Sequence, residues 1–267
     1  MSDWKPRLIV SDMDGTLLRR DDTVSEATVA ELERWRADGV PVVLATGRPP
    51  RWMEGIRTVL GHGTAVCCNG AVLLDLETFE FLDEDLLAPD VLQEITAELR
   101  RRQSDIWFAV EHGFEFRHEA IYKPRWDVDV PGVAEATLEE MVAAPVAKLL
   151  GRHETLPREE FVKLVEEVVG ALATVTNSSG DALVEISAAG VTKASGLAKV
   201  AARHGIGPED VVVFGDMPND IAAFEWVRAG GGRAVAMAHA HPDLMAVATD
   251  VTGTNDEDGV AEFLKSL

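Results

Sequence analysis

Four short stretches of this chain hold the side-chain types that chemistry uses. In "SDMDGTLL" two aspartates, Asp12 and Asp14, stand one residue apart directly after the apolar run Leu8-Ile9-Val10. "VVLATGRP" offers Thr46 and Gly47 at the end of another apolar run, and "GVTKASGL" holds Lys193. "VVVFGDMPND" supplies Asp216, Asn219 and Asp220. Carboxylates collected in one cleft repel each other unless a cation lies among them. An oxygen-rich set of this kind suits Mg²⁺, which takes one or two carboxylates together with substrate phosphate and water. Lys193, the Thr46 hydroxyl and the backbone N–H groups around Gly15 and Gly47 would hold phosphate oxygens. The inventory describes a site for phosphoryl chemistry with Mg²⁺ as its cofactor.

These groups can share a site only if the elements that carry them lie side by side. Residues 7–83 alternate between strands and helices. "RLIV" and "VPVVLATG" read as strands, and "DTVSEATVAELERWRADG" as a helix with Thr23 and Glu26 in a capping box and Gly39 at its end. "TAVCCNG" and "AVLLDL" read as two further strands about an Asn69-Gly70 turn. From residue 190 the style returns: helix "TKASGLAKVAARHG", strand "DVVVFGD", helix "MPNDIAAFEWVRAG" with Pro218 near its first turn, strand "RAVAMA", a short helix begun by Pro242, and strand "ATDVTG". Continuous Val/Ile/Leu strands between helices indicate a parallel sheet covered on both faces, whose sites lie beyond the carboxyl ends of the strands. Asp12, Thr46 and Asp216 all follow such strands, and Lys193 opens a helix.

The middle of the chain differs. "DVLQEITAELRRR" and "REEFVKLVEEVVG" read as amphipathic helices, "IWFAVE" and "FEFRHEAIYK" as strands, and "ALATVTNSSGDALVEIS" as a hairpin turning at Asn177–Gly180. The expected fold class is α/β: a Rossmann-like parallel-sheet core, residues 1–83 and 190–267, with an inserted α+β domain, residues 84–189.

The 267 residues carry 46 acidic and 25 basic side chains, a net charge of −21. A field of that sign repels nucleic acid and anionic membranes, so neither is an expected partner. No apolar run reaches the ~18 residues of a membrane span, and "MSDWKPRL" is polar and unlike a secretory signal, so a cytoplasmic protein is expected. Cys67 and Cys68 are adjacent; neighbours on a strand point to opposite faces, which suits buried packing rather than a disulfide or a metal site. The seven histidines show no metal-ligand spacing.

"DMDGTLL", "TGRP", the lysine of "GVTKASGL" and "GDMPND", in that order, resemble the four motifs of the haloacid dehalogenase (HAD) superfamily. Their spacing and the inserted middle domain are similar to the Cof-type phosphatases of subfamily IIB, which carry an α+β (C2-type) cap after the third core strand. The resemblance spans nearly the whole chain. It implies that Asp12 attacks phosphorus to form an aspartyl-phosphate, and that Asp14 protonates the leaving oxygen and then takes a proton from water. It implies that Thr46 and Lys193 bind phosphate, and that Mg²⁺ is held by Asp12, the backbone carbonyl of Asp14 and Asp216, with Asn219 and Asp220 completing or orienting that shell. Asp12 must then be ionised, as Mg²⁺ and Lys193 favour, and Asp14 protonated when it acts, as a neighbouring carboxylate favours. The implied substrate is a small phosphorylated metabolite, a sugar phosphate or related monoester, and the protein a monomer or homodimer.

Some residues keep two readings. Thr46 and Asp220 could each cap a helix, Arg48 could be structural or touch substrate, and Asn69-Gly70 could be a plain turn or border the site. Glu111, His112, Tyr122 and Arg125 of the inserted domain could face substrate or solvent. Two departures stand out: where the family commonly has Gly-Asn after "AM", this chain reads "AMAHAHP" with Ala238 and His239, and Ser11 replaces a larger residue. Rival functions are phosphotransfer of the phosphomannomutase type, a specialised phosphatase for mannosyl-3-phosphoglycerate or sucrose phosphate, and a catalytically dead metabolite sensor. A response regulator also pairs acidic residues after its first strand, but it phosphorylates an aspartate on a later strand, where this chain has Thr46.

Overall fold

The structure, a computed structural model, describes residues 4–122, 130–176 and 183–267. The chain begins with strand β1 (Leu8–Ser11), helix α1 (Glu26–Ala37), β2 (Val42–Ala45), α2 (Glu54–Leu60), β3 (Thr64–Cys67), β4 (Val72–Asp75) and β5 (Phe81–Glu84). The middle follows with α3 (Pro89–Arg102), β6 (Trp107–His112), β7 (Glu115–His118), β8 (Val133–Glu135), α4 (Leu138–Met141), β9 (Lys148–Arg152), α5 (Arg158–Val169), β10 (Ala173–Thr176) and β11 (Leu183–Ala188). It closes with α6 (Lys193–Arg203), β12 (Val211–Gly215), α7 (Ile221–Gly230), β13 (Arg233–Ala236), α8 (Pro242–Met245), β14 (Asp250–Val251) and α9 (Gly259–Lys265). Contacts divide it into two compact units, Met1–Arg48 with Trp52–Asp83 and Thr192–Leu267, and Pro49–Arg51 with Glu84–Val191.

In the first unit eight strands of the described residues form one sheet in the order β14-β13-β12-β1-β2-β3-β4-β5. The run from β14 to β3 is parallel, and β4 turns back antiparallel to β3. All four residues of β1 and of β2, and all five of β12, are buried, the mark of strands covered on both faces. On one face Leu8, Val10, Val43 and Val213 pack against Leu197 and Val200 of α6 and Phe224 and Val227 of α7. The alternate residues face the other way, where Phe214 meets Phe263 of α9 edge-on. Each fully buried aliphatic or aromatic side chain contributes about 1.5–3 kcal/mol, so these strands hold their register firmly.

The second unit has a six-stranded sheet, β10-β11-β9-β6-β7-β8. Leu92, Ile95 and Leu99 of α3 and Phe161, Val165 and Val169 of α5 bury against Phe108, Leu149, Val184 and Ile186 on one face. The other face carries buried charge: Lys148 pairs with Glu185 at 2.5 Å, and Glu111 with Arg51 at 3.1 Å. Among the described residues no helix is long and apolar enough to cross a membrane.

Several local expectations are corrected. α1 starts at Glu26 and is capped by Ser25, whose hydroxyl accepts from the Thr28 N–H, while the Thr23 hydroxyl donates to Asp21 at 2.6 Å. Cys68 leaves the strand with φ +51°, so the two buried cysteines are not strand neighbours. The strand in "FEFRHEAIYK" ends at His118. β9 was not anticipated at all. The expected turn at 177–180 lies outside the described residues.

Candidate active site

The site is built where β1 and β12 run side by side. Their parallel register sets Ser11 against Phe214, and the Asp12 N–H donates to the Phe214 carbonyl at 3.0 Å, so Asp12 and Asp216 leave the sheet almost level. Beyond Asp12 the chain turns sharply through Gly15, with φ +72°. A Cβ there would lie 2.4 Å from Asp216 Oδ2, so only glycine permits both the turn and the approach of the aspartate. The Thr16 hydroxyl donates to Asp216 Oδ1 at 3.1 Å and fixes that carboxylate.

Lys193 comes from the first turn of α6. Thr192 and Ser195 cap this helix reciprocally, each side chain bonding the other's N–H, which sets the direction in which the lysine leaves the backbone. Gly196 and Gly70 let the helix close on the β3–β4 turn: a Cβ on Gly70 would meet the Thr192 carbonyl at 2.1 Å, and one on Gly196 would meet Val66 at 2.5 Å. Held this way, Lys193 Nζ donates to Asp12 Oδ1 at 2.6 Å and to Asp220 Oδ1 at 2.7 Å, and the lysine is buried.

Asp220 uses its other oxygen internally. Oδ2 accepts from the backbone N–H groups of Asp216 and Met217, at 3.2 and 3.1 Å, closing the short 3₁₀ turn Pro218–Asp220 that leads into α7. Its position is that of a strut between the lysine and the loop carrying Asp216.

Asp12, Asp216 and Asp220 each offer an oxygen within 4.8 Å of the others. With all three ionised, three negative charges face the single positive charge of Lys193, a buried deficit of two. The titration of the site reflects it. Burial, opposed by Lys193 but reinforced by Asp220 and Asp216, raises the Asp12 pKa well above the ordinary carboxylate value. Burial and then Asp220 push Asp216 up to about 6, against the pull of Thr16 and His239. For Lys193, burial works against the charge, but Asp12 and Asp220 outweigh it and the ammonium is held. The expectation named Mg²⁺ together with Lys193 as what keeps Asp12 ionised; Lys193 by itself is outweighed by burial. Among the described residues no hydrogen bond reaches Asp12 Oδ2 or Asp216 Oδ2, and both oxygens suit a divalent ion.

The other expected residues are placed as follows. Asp14 is half exposed and lies outside the carboxylate trio; its neighbour is not a carboxylate but Arg48, whose guanidinium grips both oxygens and also bonds Asp22 at 2.9 Å. Thr46 is buried after β2, its hydroxyl accepting from the Arg48 N–H at 3.0 Å. A Cβ on Gly47 would touch Asn69 Oδ1 at 3.2 Å, and Asn219 Nδ2 donates to that same oxygen at 3.1 Å. Asn69, read from sequence as either a turn residue or a border of the site, thus ties the loops carrying Thr46 and Asn219 together. In the second unit Glu111 and Tyr122 are buried, His112 bonds the Pro145 carbonyl at 2.7 Å, and Arg125 lies outside the described residues. The sequence left Arg48 between a structural and a substrate-touching role and Asn69 between a turn and the border of the site, with no sign that Arg48 would grip Asp14 or that Asn69 would meet Asn219.

Residues 9–264 of this chain match the haloacid dehalogenase-like hydrolase family. The chain belongs to that family. Among HAD relatives, the 5-amino-6-(5-phospho-D-ribitylamino)uracil phosphatase YitU of Bacillus subtilis (strain 168) is 28% identical over 269 residues, covering 98% of this chain and 97% of its own. The pyridoxal phosphate phosphatase YbhA of Escherichia coli (strain K12) is 28% identical over 273 residues, covering 97% and 98%. A haloacid dehalogenase-like hydrolase from Bacteroides thetaiotaomicron superposes with a TM-score of 0.78 at 25% identity, covering 99% of each chain. The HAD subclass IIB sugar phosphatase BT4131 shares the fold with a TM-score of 0.78 at 21% identity, covering 97% and 98%. Like these relatives, the chain is a HAD hydrolase of the phosphatase type.

Proposed function

We propose that this protein is a Mg²⁺-dependent phosphatase that hydrolyses small phosphorylated metabolites, sugar phosphates or related monoesters, through a covalent intermediate on Asp12. The observation that carries the reading is the Asp12–Lys193–Asp220 chain beside Asp216. It presents one buried carboxylate, flanked by an ammonium, at the end of the central strand of a HAD sheet. The relatives' names point the same way, since YitU and YbhA are named for small phosphate monoesters.

Asp12 and Asp216 would hold the Mg²⁺ ion with the backbone carbonyl of Asp14, and Asp220 would orient that set through Lys193 and its two backbone bonds. When bound, the ion supplies the missing positive charge, which keeps Asp12 ionised and draws charge from the phosphoryl oxygens. An oxygen of Asp12 attacks phosphorus, the bond from phosphorus to the leaving oxygen breaks, and Asp14 gives that oxygen its proton. Water then attacks the phosphorus, Asp14 takes its proton, and the Asp12 carboxylate departs. Lys193, Thr46 and the Gly47 N–H hold the phosphoryl oxygens throughout. Arg48 keeps Asp14 from wandering into solvent between the two half-reactions. Residues 84–189 act as the cap that chooses the leaving group.

The test is phosphate release from p-nitrophenyl phosphate and a panel of sugar, ribityl and pyridoxal phosphates, with Mg²⁺ and with EDTA. The expected result is turnover that needs Mg²⁺ and disappears in Asp12→Asn. Turnover surviving in well-folded Asp12→Asn would overturn the covalent route. Phosphate appearing only on an added sugar acceptor would replace hydrolysis by phosphotransfer.

A further inference from the structure

The loop between β13 and α8 holds this chain's departure from the family pattern, Ala238-His239. It is fastened to the carboxylate site on both sides of the histidine. The Met237 N–H donates to the Gly215 carbonyl at 3.1 Å and the His241 N–H to the Asp216 carbonyl at 2.8 Å, while the Ala238 and Ala240 N–H groups bond Gly253 and Met237. His239 therefore sits at a fixed place beside Asp216, with only its two side-chain torsions to adjust. Its Nε2 lies 3.8 Å from Asp216 Oδ2, the oxygen that Thr16 does not engage.

That separation is too long for a hydrogen bond and falls in the range of two donors on one cation. Ligands about 2.1 Å from a common ion stand between about 3.0 Å apart when adjacent and about 4.2 Å when opposite. The ring makes no hydrogen bond among the described residues, and the side chain is 37% exposed, so it is free to turn toward an ion or away from it. Imidazole nitrogen is a donor that Mg²⁺ seldom takes and that Mn²⁺, Co²⁺ and Zn²⁺ accept readily. Resting on the metal site of the proposed function, we propose that His239 is a nitrogen ligand to the divalent cation held by Asp216. It tilts this chain's metal preference toward first-row transition ions, in contrast to the all-oxygen set the family motifs alone supply.

The experiment is a Mn²⁺ titration followed by electron paramagnetic resonance, with pulsed measurement of the coupling of nitrogen nuclei to the bound ion. It uses the full chain, His239→Asn, and His241→Asn as a control from the same loop. The expected result is a directly coupled ¹⁴N in the native protein and in His241→Asn that is absent from His239→Asn. Mn²⁺ should bind roughly tenfold more weakly to His239→Asn, while Mg²⁺ affinity from competition changes little. Bound Mn²⁺ with no directly coupled ¹⁴N in the native protein would overturn the inference and leave the metal site standing. The same coupling persisting in His239→Asn would overturn it too. Failure of the native chain to bind Mn²⁺ or Mg²⁺ at all would remove both this inference and the metal-dependent reading beneath it.

Discussion

Replacing Asp216 by asparagine separates what the site does for chemistry from what it does to stability. In the metal-free protein Asp216 is buried next to Asp220 and holds its proton up to about pH 6, against an ordinary value of 3.8. A carboxyl that binds its proton more tightly when folded weakens the fold as that proton is lost. Stability contributed by this group is thus intact below pH 3.8 and falls as the pH rises through about 6. At about 1.4 kcal/mol per pH unit, the span is worth about 3 kcal/mol at neutral pH, and sharing of the cost with Asp220 brings the figure to about 2 kcal/mol. Asparagine keeps an oxygen for the Thr16 hydroxyl and carries no charge. In EDTA at pH 7.5, urea unfolding should show Asp216→Asn more stable than the native chain by about 2 kcal/mol, with a flatter decline between pH 4.5 and 7.5. Saturating Mg²⁺ should reverse the order, because it binds the folded native protein and not the variant. A variant equal to or weaker than the native protein in EDTA at pH 7.5, or one with an unchanged pH slope, would refute the argument that uncompensated charge strains the site.

Other consequences are open to direct measurement. Lys193→Met removes the one ammonium among the described residues that is hydrogen-bonded to Asp12 and Asp220; chemical unfolding in EDTA should show a loss of about 3–5 kcal/mol, partly recovered by adding Mg²⁺. Arg48→Ala frees Asp14 from its only guanidinium partner among the described residues, and kcat should fall on the order of 10²-fold with KM little changed, as expected for a misplaced proton carrier. Gly196→Ala forces a methyl to within 2.5 Å of Val66 and 2.9 Å of Gly70. Its thermal unfolding should show a loss of about 1–3 kcal/mol, with a drop in activity because α6 carries Lys193.

The parallel core was legible because its strands are unbroken apolar runs ending in residues no buried strand would choose. Asp12 after Ile9-Val10 and Asp216 after Val213-Phe214 could be read as a pair once both strands were placed in one sheet. β9 escaped because it opens on Lys148, which alternation reads as solvent-facing although it is buried against Glu185. That partner is 37 residues away and invisible to local patterning. The same reason hid Arg48: a lone arginine after Thr-Gly has no periodicity, and its grip on Asp14 depends on two loops meeting. Thr23 misled by composition, since a Ser/Thr three residues before a Glu looks like a cap, yet the helix starts one residue after Ser25 and the Thr23 hydroxyl donates to Asp21 instead.

The position of β1 at the heart of the sheet has a bearing on how the protein is made. Its neighbours are β2, which leaves the ribosome soon after it, and β12, which follows only after β5 and the whole second unit. At about 5–20 residues per second, roughly ten seconds of translation pass between β5 and β12. During that interval the nascent first half shows an unpaired edge of Leu8, Ile9 and Val10, guarded only at its ends, by Pro6 and Arg7 on one side and Asp12 on the other. The second unit has its own apolar core on α3 and α5 and is built from chain-local strands, so it can fold while β1 waits. Asp12 cannot meet Asp216 or Lys193 until the far end of the chain arrives, and the carboxylate stays solvated until the sheet closes around it.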